Sequence, residues 1–139
     1  METETNTARR AVVLVVDDEE AMLEVFTETL QRLGVDVVGE SDPRKAAEHV
    51  RGGDRFDVAV LDLRMPHVDG FALLEQLRAK QPDLPVIVVT GYPSAESAKR
   101  CRDLGVMLYL RKPFDPEELN RQVRRALCPR SRAATSNEG

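Results

Sequence analysis

The chain of 139 residues, 42% hydrophobic and 32% charged, has the size and make-up of one folded globular domain, which sets aside disordered, fibrous and two-domain readings. Its 20 Lys and Arg against 24 Asp and Glu leave a net charge of −4, and aromatics are 4% with no Trp, so direct contact with nucleic acid through phosphates or stacked bases is not expected. Cys101 and Cys128 make neither a C-x-x-C nor a disulfide framework, no apolar run approaches the ~20 residues of a membrane span, and the start is acidic and polar, so a cytoplasmic setting and no membrane partner are expected.

Residues 1–10 read as a polar leader, and the run from Ala11 to Val16 as a short β-branched strand buried on both faces, as parallel sheets require. Met22, Phe26, Leu30 and Leu33 then recur at helical spacing up to Gly34. A second strand from Val35 to Gly39 leads to cap candidates Ser41 and Asp42, Pro43 near N1, and a helix through Ala46, Ala47 and Val50 that Gly52 and Gly53 end. The third strand, Asp57 to Leu61, runs into a loop with Pro66 and Gly70, read as residues that set its backbone angles, before a helix buried through Phe71, Leu74 and Leu77.

The fourth strand, Pro85 to Val89, is apolar throughout and belongs at the sheet centre. Its helix offers mainly Ala95, Ala98, Cys101 and Leu104, which bury little area, so it should pack weakly and be the most mobile. The last unit is a strand from Val106 to Leu110, then Lys112-Pro113-Phe114, then an N-cap Asp115, Pro116 at N1 and Glu118 at N3 before the stripe Leu119, Val123, Ala126 and Leu127. Five strands alternating with five helices over residues 11–127 predict right-handed crossovers and a doubly wound α/β fold, a five-stranded parallel sheet in the order 2-1-3-4-5. Residues 128–139, rich in Ser, Ala and Arg, read as a disordered tail or the start of a linker.

In such a sheet the site lies outside the carboxyl ends of the strands. There the sequence puts Asp17 and Asp18 after strand one, Asp62 at strand three, Thr90 and Gly91 at strand four, and Lys112 after strand five. The first turn has neither G-x-G-x-x-G nor G-x-x-x-x-G-K-[ST], which removes the dinucleotide and P-loop readings. Its Asp-Asp-Glu-Glu would repel a phosphate but suits a hard cation with oxygen ligands, Mg²⁺ best, and the same charge disfavours a flavin. Asp62 then reads as a nucleophile toward a phosphoryl group, with Lys112 supplying positive charge to the phosphoryl oxygens and Thr90 a hydrogen bond.

The pieces Val15-Val16-Asp17-Asp18-Glu19, Leu61-Asp62-Leu63-Arg64-Met65-Pro66 with Asp69-Gly70, Val89-Thr90-Gly91 and Tyr109-Leu110-Arg111-Lys112-Pro113-Phe114 together resemble a response-regulator receiver domain of two-component signalling, stand-alone and chemotaxis-regulator-like. The resemblance runs from about Ala11 to Leu127 and implies the flavodoxin-like receiver fold. It implies that Asp62 accepts phosphate from a histidine kinase or phosphotransfer protein, and that Asp17, Asp18, Asp62 and the Arg64 backbone carbonyl hold Mg²⁺. It implies too that Lys112 pairs with the phosphoryl group, that Thr90 moves toward it, and that Tyr109 rotates inward. The face of the fourth helix, fifth strand and fifth helix is thereby reshaped for an output protein or a self-dimer. A cis bond before Pro113 is also implied.

Arg64 and Tyr92, two residues past the acceptor and past Thr90, are candidates to shield the phosphate from water and slow self-dephosphorylation. His49 and His67 read as isolated, solvated side chains, while Arg121, Arg124, Arg125, Arg130 and Arg132 are either a solvated face or an interface. The leading reading is a signalling receiver whose only catalysis is its own Mg²⁺-dependent phosphorylation and dephosphorylation. A receiver excised from a longer DNA-binding regulator and a non-phosphorylated binding module stay open as alternatives. A magnesium phosphatase of the haloacid-dehalogenase type would need Asp-x-Asp after the first strand, where this chain has Asp17-Asp18-Glu19.

Overall fold

The computed structural model describes residues 10–63 and 70–128. Its elements run β1 (Val12–Val16), α1 (Glu20–Gln31), β2 (Asp36–Glu40), α2 (Pro43–Arg51), β3 (Val58–Asp62), α3 (Gly70–Lys80), β4 (Val86–Thr90), α4 (Ala95–Asp103), β5 (Leu108–Arg111) and α5 (Pro116–Leu127). The strands form one parallel sheet in the order β2-β1-β3-β4-β5. Both β3 and β4 are buried along their whole length, as continuous apolar runs at the centre of a parallel sheet must be.

Alternation along the strands divides the core in two. Leu14 and Val16 of β1, Ala59 and Leu61 of β3, and Val86 and Val88 of β4 face α2, α3 and α4, where Val50, Leu74 and Cys101 meet them. Val13, Val15, Val58, Val60, Ile87 and Val89 face α1 and α5, against Phe26, Leu30, Leu119 and Val123. Each fully buried Leu, Val or Phe contributes about 1.5–3 kcal/mol, so a charge at Val123 would be enough to break the α5 packing.

Helix starts follow local chemistry. Asp42 accepts the Arg44 amide ahead of Pro43, Asp115 accepts the Glu117 amide ahead of Pro116, and Ser94 accepts the Ser97 amide at the start of α4. The spans of β2 to β5 begin one or two residues later than the hydropathy pattern predicts, which makes Asp62 and Thr90 the last residues of their strands. The reason is that ladder pairing continues through polar residues when their backbone has a neighbour strand to bond.

The weak packing expected of the fourth helix is present: Cys101 is the one buried residue on α4. Its other attachments are polar. The Arg100 guanidinium lies 3.9 Å from the Phe71 ring centroid, and Arg78 on α3 holds the turn beyond α4 through the carbonyls of Leu104 (2.9 Å) and Gly105 (3.2 Å). The same Arg78 also reaches the carbonyls of Pro82 and Leu84, both at 2.8 Å, so one side chain closes two turns at the amino edge of the sheet.

Candidate functional site

The carboxyl edge of the sheet is assembled by backbone bonds that extend the ladder past the strands. The Asp17 amide donates to the Glu40 carbonyl (3.2 Å), the Leu63 amide to the Val89 carbonyl (3.4 Å) and the Lys112 amide to the Thr90 carbonyl (2.7 Å). These bonds fix the exits of β1, β3 and β5, and with them the side chains of Asp17, Asp62 and Lys112. Asp17, Asp62 and Thr90 are all buried.

Lys112 Nζ donates to Asp17 Oδ2 and to Asp62 Oδ2, both at 3.0 Å, and to Glu19 Oε1 at 3.4 Å. Burial by itself pulls the ammonium's pKa down, but the bonds and charges of Asp17 and Asp62 outweigh it, so the pKa is raised and the cation is firmly held. Asp17 is fixed at both oxygens, because its Oδ1 accepts the Glu19 amide (2.9 Å) at the entry to α1. The Lys112–Pro113 peptide is cis.

One carboxylate oxygen from each of Asp17, Asp18 and Asp62 lies within 4.8 Å of the others. Among the described residues these three carboxylates gather around one ammonium, that of Lys112, and the donors are all hard oxygens. That set fits a divalent cation such as Mg²⁺, which takes one or two carboxylates and keeps waters for its remaining positions. Arg64, whose backbone carbonyl was expected to join it, lies outside the described residues, as do Met65, Pro66, His67, Asp69, Arg130 and Arg132.

Thr90 Oγ1 accepts the Tyr92 amide (3.0 Å), so this hydroxyl is an acceptor toward its own loop and keeps its proton for another partner. Gly91 is exposed with open space where a Cβ would stand, so crowding does not require glycine there. Tyr92 is 67% exposed. Gly70 behaves otherwise: its backbone is not left-handed, but a Cβ would sit 2.8 Å from both Leu63 Cα and the Leu63 carbonyl oxygen. It serves close packing against the backbone just beyond Asp62, not the backbone angles the sequence suggested.

Tyr109, half-buried on β5, is bound to the first turn of α4. Its hydroxyl accepts the Ser94 amide (3.3 Å) and shares a hydrogen bond with Ser97 Oγ. The sequence reading missed both serines, although Ser94 three residues ahead of Ser97 at a helix start is an N-cap signal. It also misjudged His49. That ring is not isolated, for it lies between Glu40 and Asp54 with a carboxylate at each nitrogen, a juxtaposition made by the turns on either side of α2 that residue spacing does not reveal. Arg121, Arg124 and Arg125 are exposed on α5, with Arg121 bonded to Glu118.

A doubly wound parallel sheet with a carboxylate cluster and a lysine at its carboxyl edge defines the class of open-sheet α/β domains whose site lies outside the carboxyl ends of the strands. Within that class, the family model for the response regulator receiver domain matches residues 13–124, and the chain belongs to that family, a receiver of two-component signalling. It is 33% identical over 126 residues to the alkaline phosphatase synthesis transcriptional regulatory protein PhoP of Bacillus subtilis, covering 91% of this chain and 52% of that protein. To the transcriptional regulatory protein ZraR of Escherichia coli K12 it is 35% identical over 116 residues, 84% of this chain and 26% of that protein. The chain thus spans between a quarter and about half of these relatives.

Among solved structures, a CheY-like response regulator receiver domain protein from Methanospirillum hungatei superposes with a TM-score of 0.82 at 26% identity, over 94% of this chain and all of that one. Chemotaxis protein CheY4 of Vibrio cholerae gives 0.77 at 31% identity, over 86% of this chain and all of that one. Among the described residues, no helix is long and apolar enough to cross a membrane.

Proposed function

We propose that this receiver takes a phosphoryl group from the histidine of a kinase or phosphotransfer protein onto Asp62. The observation that supports it best is Lys112 Nζ at 3.0 Å from both Asp17 and Asp62, beside a carboxylate set that fits Mg²⁺. An Asp62 oxygen attacks phosphorus, the P–N bond to the donor imidazole breaks, and the departing nitrogen keeps the electron pair. Asp17, Asp18, Asp62 and the Arg64 carbonyl would hold the cation, which supplies charge neutralisation for the phosphoryl oxygens. Lys112 follows the phosphoryl oxygens, and Thr90 donates its proton to one of them. Release of Lys112 and Thr90 from their present partners biases Gly91, Tyr109 and the α4-β5-α5 face toward a second arrangement that an output protein or a second copy reads.

Intact-protein mass after incubation with a small phosphodonor and Mg²⁺ tests this. One added phosphoryl group, absent with EDTA and in Asp62→Asn, is the expected result. No adduct at early times would leave a non-phosphorylated binding module. In the same assay Arg64→Ala and Tyr92→Ala should each shorten the adduct's lifetime, and unchanged decay in both would end the shielding role. A second reading is favoured by coverage: at 26% and 52% of its relatives' lengths, this sequence is the receiver segment of a longer transcriptional regulator. The length of the encoding reading frame decides it.

A further inference from the structure

His49, in the last turn of α2, has both ring nitrogens against carboxylates. Nδ1 is 2.8 Å from Asp54 Oδ2, in the turn after α2, and Nε2 is 2.9 Å from Glu40 Oε2, at the end of β2. The ring meets Phe56 edge-on, with centroids 6.4 Å apart. Only an imidazolium can donate at both nitrogens. A neutral ring has a single N–H, and its other nitrogen would turn a lone pair toward a carboxylate oxygen at hydrogen-bond distance. One of the two carboxylates must then move away. Glu40 from β2 and Asp54 from the turn are the charged groups that act on this ring, and both favour the cation.

We propose that His49 is a pH-gated clasp: protonated, it ties the end of β2 to α2 and the turn after it, and loss of the proton opens this edge of the sheet. Its position gives the clasp reach. The Glu40 carbonyl accepts the Asp17 amide, so the end of β2 that His49 holds is also the strand end to which the exit of β1, with Asp17, is hydrogen-bonded. The clasp therefore links proton concentration to the firmness of the acidic edge, whether or not Asp62 accepts a phosphoryl group.

The direction of the effect follows from the raised pKa that hydrogen bonds to Asp54 and Glu40 give the ring, against its partial burial. The clasp's contribution to stability is complete below the ordinary histidine value of about 6.5, and it is lost as pH rises through the raised folded value.

The test is an NMR titration of the imidazole nitrogens, together with amide exchange corrected for intrinsic pH dependence, in metal-free protein without phosphodonor. His49 should titrate above the ordinary histidine value with both nitrogens protonated below it, and Glu40→Gln and Asp54→Asn should each move that titration downward. Above the His49 titration the Asp17 amide should open about tenfold more readily, the factor for losing one charge-assisted bond, while the Lys112 amide on the opposite side of the site stays unchanged. In Glu40→Gln, which preserves shape and leaves the histidine in place, that pH step should vanish. A wild-type His49 that titrates at or below the ordinary value, or an Asp17 amide whose opening ignores the His49 titration, would overturn the proposal. Since no phosphoryl group or metal enters the measurement, its failure is separate from any failure of the phosphoacceptor reading.

Discussion

Replacing Lys112 by Met keeps the aliphatic stem and removes the one ammonium bonded to Asp17 and Asp62. The Lys112 side chain is 14% exposed, whereas those of Asp17 and Asp62 are 1% and 5% exposed, so water reaches the cation more readily than the two anions it serves. Removing one partner of a buried charge pair costs about 3–5 kcal/mol, and partial access to water puts this case near 3 kcal/mol. Urea unfolding in metal-free buffer at neutral pH would measure the loss. Asp62→Asn in the Lys112→Met background should recover part of it, because the repulsion among Asp17, Asp18 and Asp62 is relieved at its third member. Mg²⁺ should restore Lys112→Met more than it stabilises the unaltered protein, since the cation no longer competes with an ammonium. At about a hundredfold excess over Kd, saturation is worth roughly 2.7 kcal/mol. Equal stability of Lys112→Met and the unaltered protein without metal, or a loss indifferent to both Asp62→Asn and Mg²⁺, would refute the electrostatic account of this edge.

Other predictions concern the elements around that edge. A double-mutant cycle on Ser97→Ala and Tyr109→Phe should give a coupling of about 1 kcal/mol in urea unfolding, and the α4 amides should exchange sooner than those of α5, most readily in Ser97→Ala; additive effects would mean the hydroxyl pair does not fasten the helix. Gly70→Ala must displace the Leu63 backbone, at a cost of about 1–3 kcal/mol, and should slow adduct formation at Asp62, whereas Gly91→Ala should be tolerated; equal rates for the two would count against the close-packing argument. Arg78→Lys keeps the charge but cannot reach carbonyls on both turns, so a loss of about 2 kcal/mol is expected, and an unchanged unfolding midpoint would show the clamp to be idle.

The parts of the structure that were legible in the sequence are those set by local chemistry. Strand runs, helix stripes and the Asp-Pro helix starts at Asp42 and Asp115 act over a few residues, and the topology rules for parallel sheets then bring Asp17, Asp62, Thr90 and Lys112 to one edge. What was not legible depends on distance along the chain. Glu40, His49 and Asp54 meet through the fold of β2 back onto α2, Arg78 finds turns on either side of β4, and Tyr109 meets Ser97 across the α4–β5 turn. Gly70 was noticed for the wrong reason. A glycine needed for left-handed backbone and one needed for absence of a Cβ read identically until the neighbouring backbone is in place.

The two sides of the acidic edge are held by different means. Asp17 and Asp62 leave strands deep in the core, with ladder bonds and a shared cation, so the anions cannot retreat from one another and their charge is stored in place. On the opposite side, α4 itself rests on one buried side chain, Cys101, and the segment from Thr90 to Tyr109 is otherwise fastened by half-buried Leu104, Val106 and Tyr109 and a set of hydroxyl, guanidinium and backbone bonds. Each of these bonds is worth about 1 kcal/mol and can be exchanged for another of similar strength. A new charge introduced at Asp62 would therefore act on Lys112 and Thr90 against a rigid acidic wall, and the displacement would be taken up by the loosely fastened side.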